Sequence, residues 1–248
     1  MPTLPKVATR KKPAGDPARS ARAELSRERI LNAALDLIDA GGLNTLNMRD
    51  LGRALGASTM SVYRHFRNKA ELLDAVVDHV VEGFAPPEME GPWQTQARTL
   101  SLRVRAAMLA HPELADQIGR EFRRSPISLR VNAAIIERLR EAGVPRTLLP
   151  DTYWAISSYT NGYALLEAQS HRRRRNSQGP GAETDRVRKL TAMLDGVEGL
   201  DPTVSRDAAV VLARPLDDRQ FLFGLDCLIK GIEDRIAQLR AAAGQTDA

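Results

Sequence analysis

The segment Met48–Lys69, MRDLGRALGASTMSVYRHFRNK, sets the tightest limit on what this chain can be. Its pattern predicts two short helices joined by a tight turn at Gly56-Ala57-Ser58. Met48, Leu51 and Leu55 fall on one face of the first helix, and Val62 and Phe66 on one face of the second. The rest of the second helix is polar: Thr59, Ser61, Tyr63, Arg64 and His65 lead on to Lys69. A helix that packs one face on a small core while the other lies in a DNA groove needs this division.

The flanking sequence supplies that core. Ser26 is placed to cap a preceding helix with Ile30, Ala33, Ala34, Leu37 and Ile38 on one face, stopped by Gly41-Gly42. Asn47 is placed to cap the next. Asn68-Lys69-Ala70-Glu71 reads as a capping box, with the Glu71 carboxylate reaching back to the Asn68 N–H. It opens a fourth helix with Leu73, Val76, Val77, Val80 and Phe84 at helical spacing, closed by Pro86-Pro87. Past Pro92 the pattern stays helical. Helices are expected over Trp93–Ala110, Pro112 to about Arg120, Pro126–Ala142, and from Thr147 or Asp151 to about Ser170. A short one near Asp185–Leu194 and a last one from about Asp217 to Ala243 follow. His171 to Gly181 has loop composition, and the stretch up to Pro215 reads as irregular. The fold expected is all-α. A helix-turn-helix bundle of three to four helices spans residues 26–84, and a larger helical ligand-binding and dimerisation domain spans residues 85–248.

Hydrophobic residues make up 43% of the 248, enough for a sizeable core, yet no apolar run nears the ~18 residues of a membrane span. The first 25 residues lack the apolar centre of a secretory signal. The single cysteine, Cys227, excludes an internal disulfide framework and a multi-cysteine zinc cluster. The four histidines show no metal-ligand spacing. A cytoplasmic setting and no membrane partner are expected. Residues 1–25 carry six Lys or Arg against Asp16 and Glu24, most of the chain's net +5. This Pro-, Ala-, Gly- and Ser-rich arm is expected to be disordered in isolation. Two readings of it stay open: a solubilising tail, or an arm that follows phosphates or the minor groove.

On the DNA face, Arg64 suits guanine O6 and N7 in the major groove, and Thr59 and Ser61 can donate to phosphates or base edges. Tyr63 offers its hydroxyl to a phosphate; Met60 and His65 share the face. Arg49, opening the preceding helix, is placed to reach the backbone or an adjacent base. Lys69 sits where a helix N-terminus and an ammonium together favour a phosphate. There is no glycine-rich phosphate loop, no Ser/His/Asp or Cys/His set and no paired carboxylates at a cleft. No catalytic residue, cofactor or metal is therefore expected, and the chain is not expected to be an enzyme.

Ile30 to Phe84 resembles the DNA-binding domain of the tetracycline-repressor family of bacterial transcription regulators. The resemblance rests on Ala33-Ala34 with Leu37, Met48-Arg49-Asp50-Leu51 with Leu55-Gly56, and Asn68-Lys69 with Leu72-Leu73. Its most specific part is the run Val62-Tyr63-Arg64-His65-Phe66-Arg67-Asn68-Lys69. The resemblance implies a homodimer whose two recognition helices enter successive major grooves of a near-palindromic operator. The tetracycline-repressor subfamily is also resembled at Trp93-Gln94, at Gly162-Tyr163-Ala164-Leu165-Leu166-Glu167 and over residues 221–233.

Leu222, Leu225, Ile229, Ile232, Ile236 and Leu239 are spaced as a coiled-coil-type seam along the last helix. Spacing alone allows a seam buried in one protomer; the resemblance favours a four-helix dimer interface with the Tyr153–Ala168 helix. Tetracycline repressors bind their drug as a metal chelate, with a His as one metal ligand, and its place falls to Ile118 here. A second drug-contacting His falls at or near Ala85, while a Glu is retained as Glu167. Without that imidazole a metal ligand is lost, so the resemblance implies an effector other than metal-chelated tetracycline. Leu100, Val104, Met108, Ile118, Ile135, Leu139, Tyr159, Tyr163 and Glu167 are candidates to line a pocket, each also at home in an ordinary core. Arg172–Arg175 reads as a solvated loop, with an anionic ligand or a DNA contact as the alternative.

The function expected is a ligand-responsive transcription regulator, by default a repressor. Its partners would be an operator in double-stranded DNA, a small-molecule effector and a second copy of itself. The competing expectation is a ligand-independent architectural DNA-binding protein.

Overall fold

The computed structural model describes residues 25–86, 88–121, 125–175 and 182–246. The basic arm, apart from Leu25, lies outside them. Among the described residues there are eleven α-helices and no strand, so the chain is all-α as its periodicity predicts.

The first four helices are α1 (Arg27–Gly41), α2 (Met48–Ala54), α3 (Thr59–Tyr63) and α4 (Lys69–Glu82). Each opens on a side-chain cap that satisfies an otherwise orphaned backbone N–H. Ser26 Oγ accepts from the Arg29 N–H at 3.1 Å, and Asn47 Oδ1 from Asp50 at 2.9 Å. Ser58 Oγ accepts from Ser61 at 3.2 Å, and Asn68 Oδ1 from Glu71 at 2.9 Å. The capping box at α4 differs from the expectation by one residue: Glu71 accepts from the Arg67 N–H at 2.8 Å, not from Asn68. Asn68 is fully extended (φ −159°), which leaves the Arg67 N–H within reach. Ile30, Ile38, Leu51, Val62, Phe66, Leu72 and Val76 fill the space between the four helices. Each such side chain, withdrawn from water, contributes about 1.5–3 kcal/mol.

The remaining helices are α5 (Trp93–Ala110), α6 (Ala115–Glu121), α7 (Pro126–Glu141), α8 (Leu149–Arg175), α9 (Ala182–Asp195), α10 (Pro202–Ala213) and α11 (Asp218–Thr246). The long α8 is the hub, packed on α5, α6, α7 and α11. No described helix is long and apolar enough to cross a membrane.

Three expectations are corrected here. First, α8 does not give way to a loop at His171 but continues to Arg175. Arg172 pairs with Asp116 at 3.0 Å and Glu113 at 3.7 Å, and Gln169 donates to Asp116 at 3.0 Å. Acidic groups on and before α6 thus anchor Arg172, at the start of a run that composition alone marks as loop; residues 176–181 of that expected loop lie outside the described residues. Second, Pro202–Ala213 is a helix, not irregular. Asp201 caps it through the Thr203 and Val204 N–H groups at 2.8 and 3.4 Å, which hold its carboxyl below the usual range. Its apolar residues run together at 208–213 instead of forming a stripe, so the period is hidden. Helices α9 and α10 pack chiefly on one another.

Third, the α11 seam faces inward. Leu225, Ile229 and Ile236 are buried in the protomer's own core, Leu222 and Ile232 are half-buried, and Leu239 sits at the exposed end. The apolar faces of α5 and α8 meet the seam, so Leu225, Ile229 and Ile236 are taken up within the protomer. The outward face of α11 carries Phe223, Cys227, Lys230 and Gly231 instead.

Close approach of α8 and α11 depends on Gly224, where a Cβ would collide with the Tyr159 side chain. Tyr159 donates to the Phe221 carbonyl at 2.8 Å and stacks on the Phe221 ring. Gly224→Ala should therefore lower the midpoint of urea unfolding. Overpacking of about 1–3 kcal/mol outweighs the helix propensity gained, about 1 kcal/mol at most. An unchanged or raised midpoint would contradict this packing.

Candidate nucleic-acid interface and ligand cavity

Helix α3 is short and held from behind. Val62 and Phe66 are buried beneath it, and Gly56 makes the preceding turn at φ 62°, a conformation few residues but glycine adopt readily. Arg27, on α1, closes its far end: the guanidinium donates to the His65 carbonyl at 3.3 Å and lies 4.3 Å from the centre of the Phe66 ring. Arg27 was not anticipated, because nothing local links residues 27 and 65.

With its back fixed, α3 presents its front to solvent. Met60 is 70% exposed, Tyr63 and Arg64 are exposed, and Thr59, Ser61 and His65 are half-buried. The Ser61 hydroxyl lies 2.8 Å from that of Ser58, so it is shared with the helix cap. Arg49 is exposed on the first turn of α2. Lys69 donates to the Leu43 carbonyl at 3.2 Å, which fixes its position and leaves further ammonium protons for an anion. The eight residues expected at the DNA face thus lie on two adjoining helices (Arg49; Thr59, Met60, Ser61 and Tyr63), on the turn that follows α3 (Arg64, His65) and at the start of α4 (Lys69).

The reading unit is joined to the rest through α4, which packs on α6 and α7. Arg130 of α7 pairs with Glu82 at the end of α4 at 2.9 Å. His111, just past α5, meets Asp39 of α1 at 2.7 Å.

Between α5, α7 and α8 lies a partly open cavity of about 420 Å³. Ala97, Leu100, Ser101 and Val104 line it from α5, and Ile135 and Leu139 from α7. Tyr153, Ile156, Ser157, Thr160 and Asn161 line it from α8. Four sequence candidates, Leu100, Val104, Ile135 and Leu139, are on this wall. Met108 and Ile118 are instead fully buried in the core. Tyr159 and Tyr163 turn to α11, Tyr163 donating to the Asp217 carbonyl at 3.0 Å. Burial raises both phenol pKa values, so both hydroxyls stay protonated donors. The α8 residues of the wall were not among the sequence candidates, although Tyr153, Ile156, Ser157 and Thr160 share one helical face at i, i+3, i+4, i+7.

Glu167 does not line the cavity. Its two oxygens accept from Arg105 Nε and Nη2, each at 2.7 Å, and Arg105 Nη2 also reaches Asp218 at 2.8 Å. Arg105 lies 4.8 Å from the Phe221 ring centre. Burial works against the Arg105 charge, but the bonds to Glu167 and Asp218 outweigh it and hold its pKa above the usual arginine value. Arg105 stays charged, and both Glu167 oxygens are engaged by it, away from the cavity.

A capped helix-turn-helix with an exposed polar face, joined to a helical body holding an apolar cavity, defines a DNA-binding regulator by architecture. Comparison with known proteins agrees. Residues 30–76 match the family of bacterial regulatory proteins, tetR family, and residues 85–236 match the tetracyclin repressor-like C-terminal domain. The chain belongs to the tetR family of bacterial transcription regulators, which are not enzymes. It is 27% identical to the HTH-type transcriptional repressor Rv1353c of Mycobacterium tuberculosis, over 93% of this chain and 89% of that one. It is 29% identical to the class D tetracycline repressor protein of Escherichia coli, over 90% and 95%. Among solved structures it is similar to the Streptomyces coelicolor TetR family protein ActR in complex with actinorhodin. That match has a TM-score of 0.64 and 30% identity, over 86% of this chain and 99% of that one.

Proposed function

We propose that the chain is a cytoplasmic repressor that binds a near-palindromic operator as a homodimer and is released by a small molecule in the α5–α7–α8 cavity. The observation that carries this reading is the exposed face formed by α3 and the turn at Arg64 that ends it. Arg64 is free for a guanine edge, exposed Met60 offers an apolar contact to a thymine methyl, and Tyr63, Arg49 and Lys69 surround them for phosphates. Titration of operator DNA tests it. Arg64→Ala should lose about 1–3 kcal/mol of specific binding, and Tyr63→Ala should weaken binding, both with the oligomeric state unchanged. Unchanged affinity in both would remove α3 from the interface.

The pairing surface in this reading is the outward side of α8 and α11. Trp154, Ser158, Gly162 and Leu166 recur every four residues along exposed α8, and Phe223, Cys227 and Gly231 do the same on α11. Leu166 is 59% exposed and Phe223 73%. Small residues between bulky ones let two such helix pairs approach closely as a four-helix contact.

Release runs through α7. Ile135 and Leu139 line the cavity, while the other end of α7 packs on α4. A ligand that wedges α7 outward tilts α4 and changes the separation of the two α3 helices. Release requires the ligand to prefer that state, and its coupling to DNA is reciprocal. A ligand-bound ActR supports an effector site in this fold. With Ile118 buried and Glu167 closed by Arg105, the effector here is read as something other than a metal-chelated tetracycline.

A further inference from the structure

Resting on the cavity's role as the effector site, we propose that it takes a neutral, largely apolar molecule bearing a hydroxyl or N–H group, held at the Thr160–Asn161 end. No lining side chain carries a charge. Tyr153, the one lining phenol, spends its hydroxyl on Asn132 Oδ1 at 2.7 Å. Arg105, next to the lining residue Val104, is closed by Glu167 and Asp218. An ionised ligand would therefore give up its hydration and find no counter-charge, a loss far larger than apolar contact recovers.

The polar end is set by two unused atoms. Thr160 is 3% exposed, and neither Thr160 Oγ1 nor Asn161 Oδ1 has a hydrogen-bond partner in the protein. Buried polar atoms are almost always bonded, and both of these residues line the cavity. A ligand O–H or N–H donating to Asn161 Oδ1, with the Thr160 hydroxyl in either role, satisfies both. The rest of the wall is aliphatic, led by Leu100, Val104, Ile135, Leu139 and Ile156.

Three probes that share a skeleton test this on the full-length protein. N-phenyl-1-naphthylamine is neutral with one N–H, 8-anilinonaphthalene-1-sulfonate adds a charge, and 1-benzylnaphthalene replaces the N–H by CH2. Fluorescence titration should show the amine binding at least about tenfold tighter than the sulfonate, since one uncompensated charge costs well over a factor of ten. Competition should show it binding roughly three- to tenfold tighter than the hydrocarbon, the value of one net hydrogen bond. The preference over the hydrocarbon should vanish in Thr160→Val with Asn161→Leu. Equal binding of amine and sulfonate, or a preference that survives the double substitution, overturns the proposal alone. Ser157→Leu and Leu139→Phe, checked for a native unfolding midpoint, fill the cavity and should abolish amine binding. If both variants bind the amine as well as the native protein does, the cavity is not the site. The repressor reading then loses its effector pocket together with this proposal.

Discussion

Arg105→Met is expected to lower folding stability by about 3–5 kcal/mol, the cost of leaving one member of a buried ion pair alone. Glu167 is 2% exposed and both its oxygens depend on Arg105. Asp218 is exposed and loses little when the guanidinium goes. Arg105→Met combined with Glu167→Leu removes both charges and should recover most of the loss, because a packed apolar pair often matches a buried ion pair. Urea unfolding of the native protein, both single variants and the double variant measures this as a cycle. A single-variant loss below about 1 kcal/mol, outside the range for broken buried pairs, would mean the site relaxes and Glu167 finds water.

Leu166→Asp and Phe223→Asp are expected to turn the proposed dimer into a monomer. Each side chain is largely exposed in the protomer, so the fold should tolerate the carboxylate. In the paired state the same carboxylate would lie in an apolar contact, at a cost of several kcal/mol. In the proposed dimer two linked reading heads share one operator, so the monomer should also lose operator binding. Sedimentation at micromolar concentration reads the first effect and a DNA titration the second. Ile229→Asp is the contrasting case: it should unfold the protomer, since Ile229 is packed in its core. A folded, monomeric Ile229→Asp protein would restore the seam as the dimer contact.

Which parts of the molecule were legible follows from the range of the forces. The DNA-reading unit was readable because caps such as Asn47–Asp50 and Asn68–Glu71 act over three residues, and its core repeats within a turn or two. Periodicity also grouped Leu225, Ile229 and Ile236 on one face of α11, but spacing does not say what that face meets. Only the packing of α5 and α8 against it does. Arg105 and Glu167 are 62 residues apart, and Arg27 and His65 are 38 apart, so neither link leaves a local trace. The basic run at Arg172 looked like loop because the acidic partners of Arg172, Glu113 and Asp116, lie more than fifty residues away on and before α6.

The central claim is that α3 reads a particular DNA sequence on behalf of a dimer. The most direct test is a titration of the DNA flanking its own gene against random DNA of equal length at equal salt. The account predicts at least about a thousandfold preference for one segment, two protomers bound per site, and loss of that preference in Arg64→Ala with Tyr63→Ala. Equal affinity for both DNAs, unaffected by the double substitution, would contradict it and leave an architectural DNA-binding protein in its place.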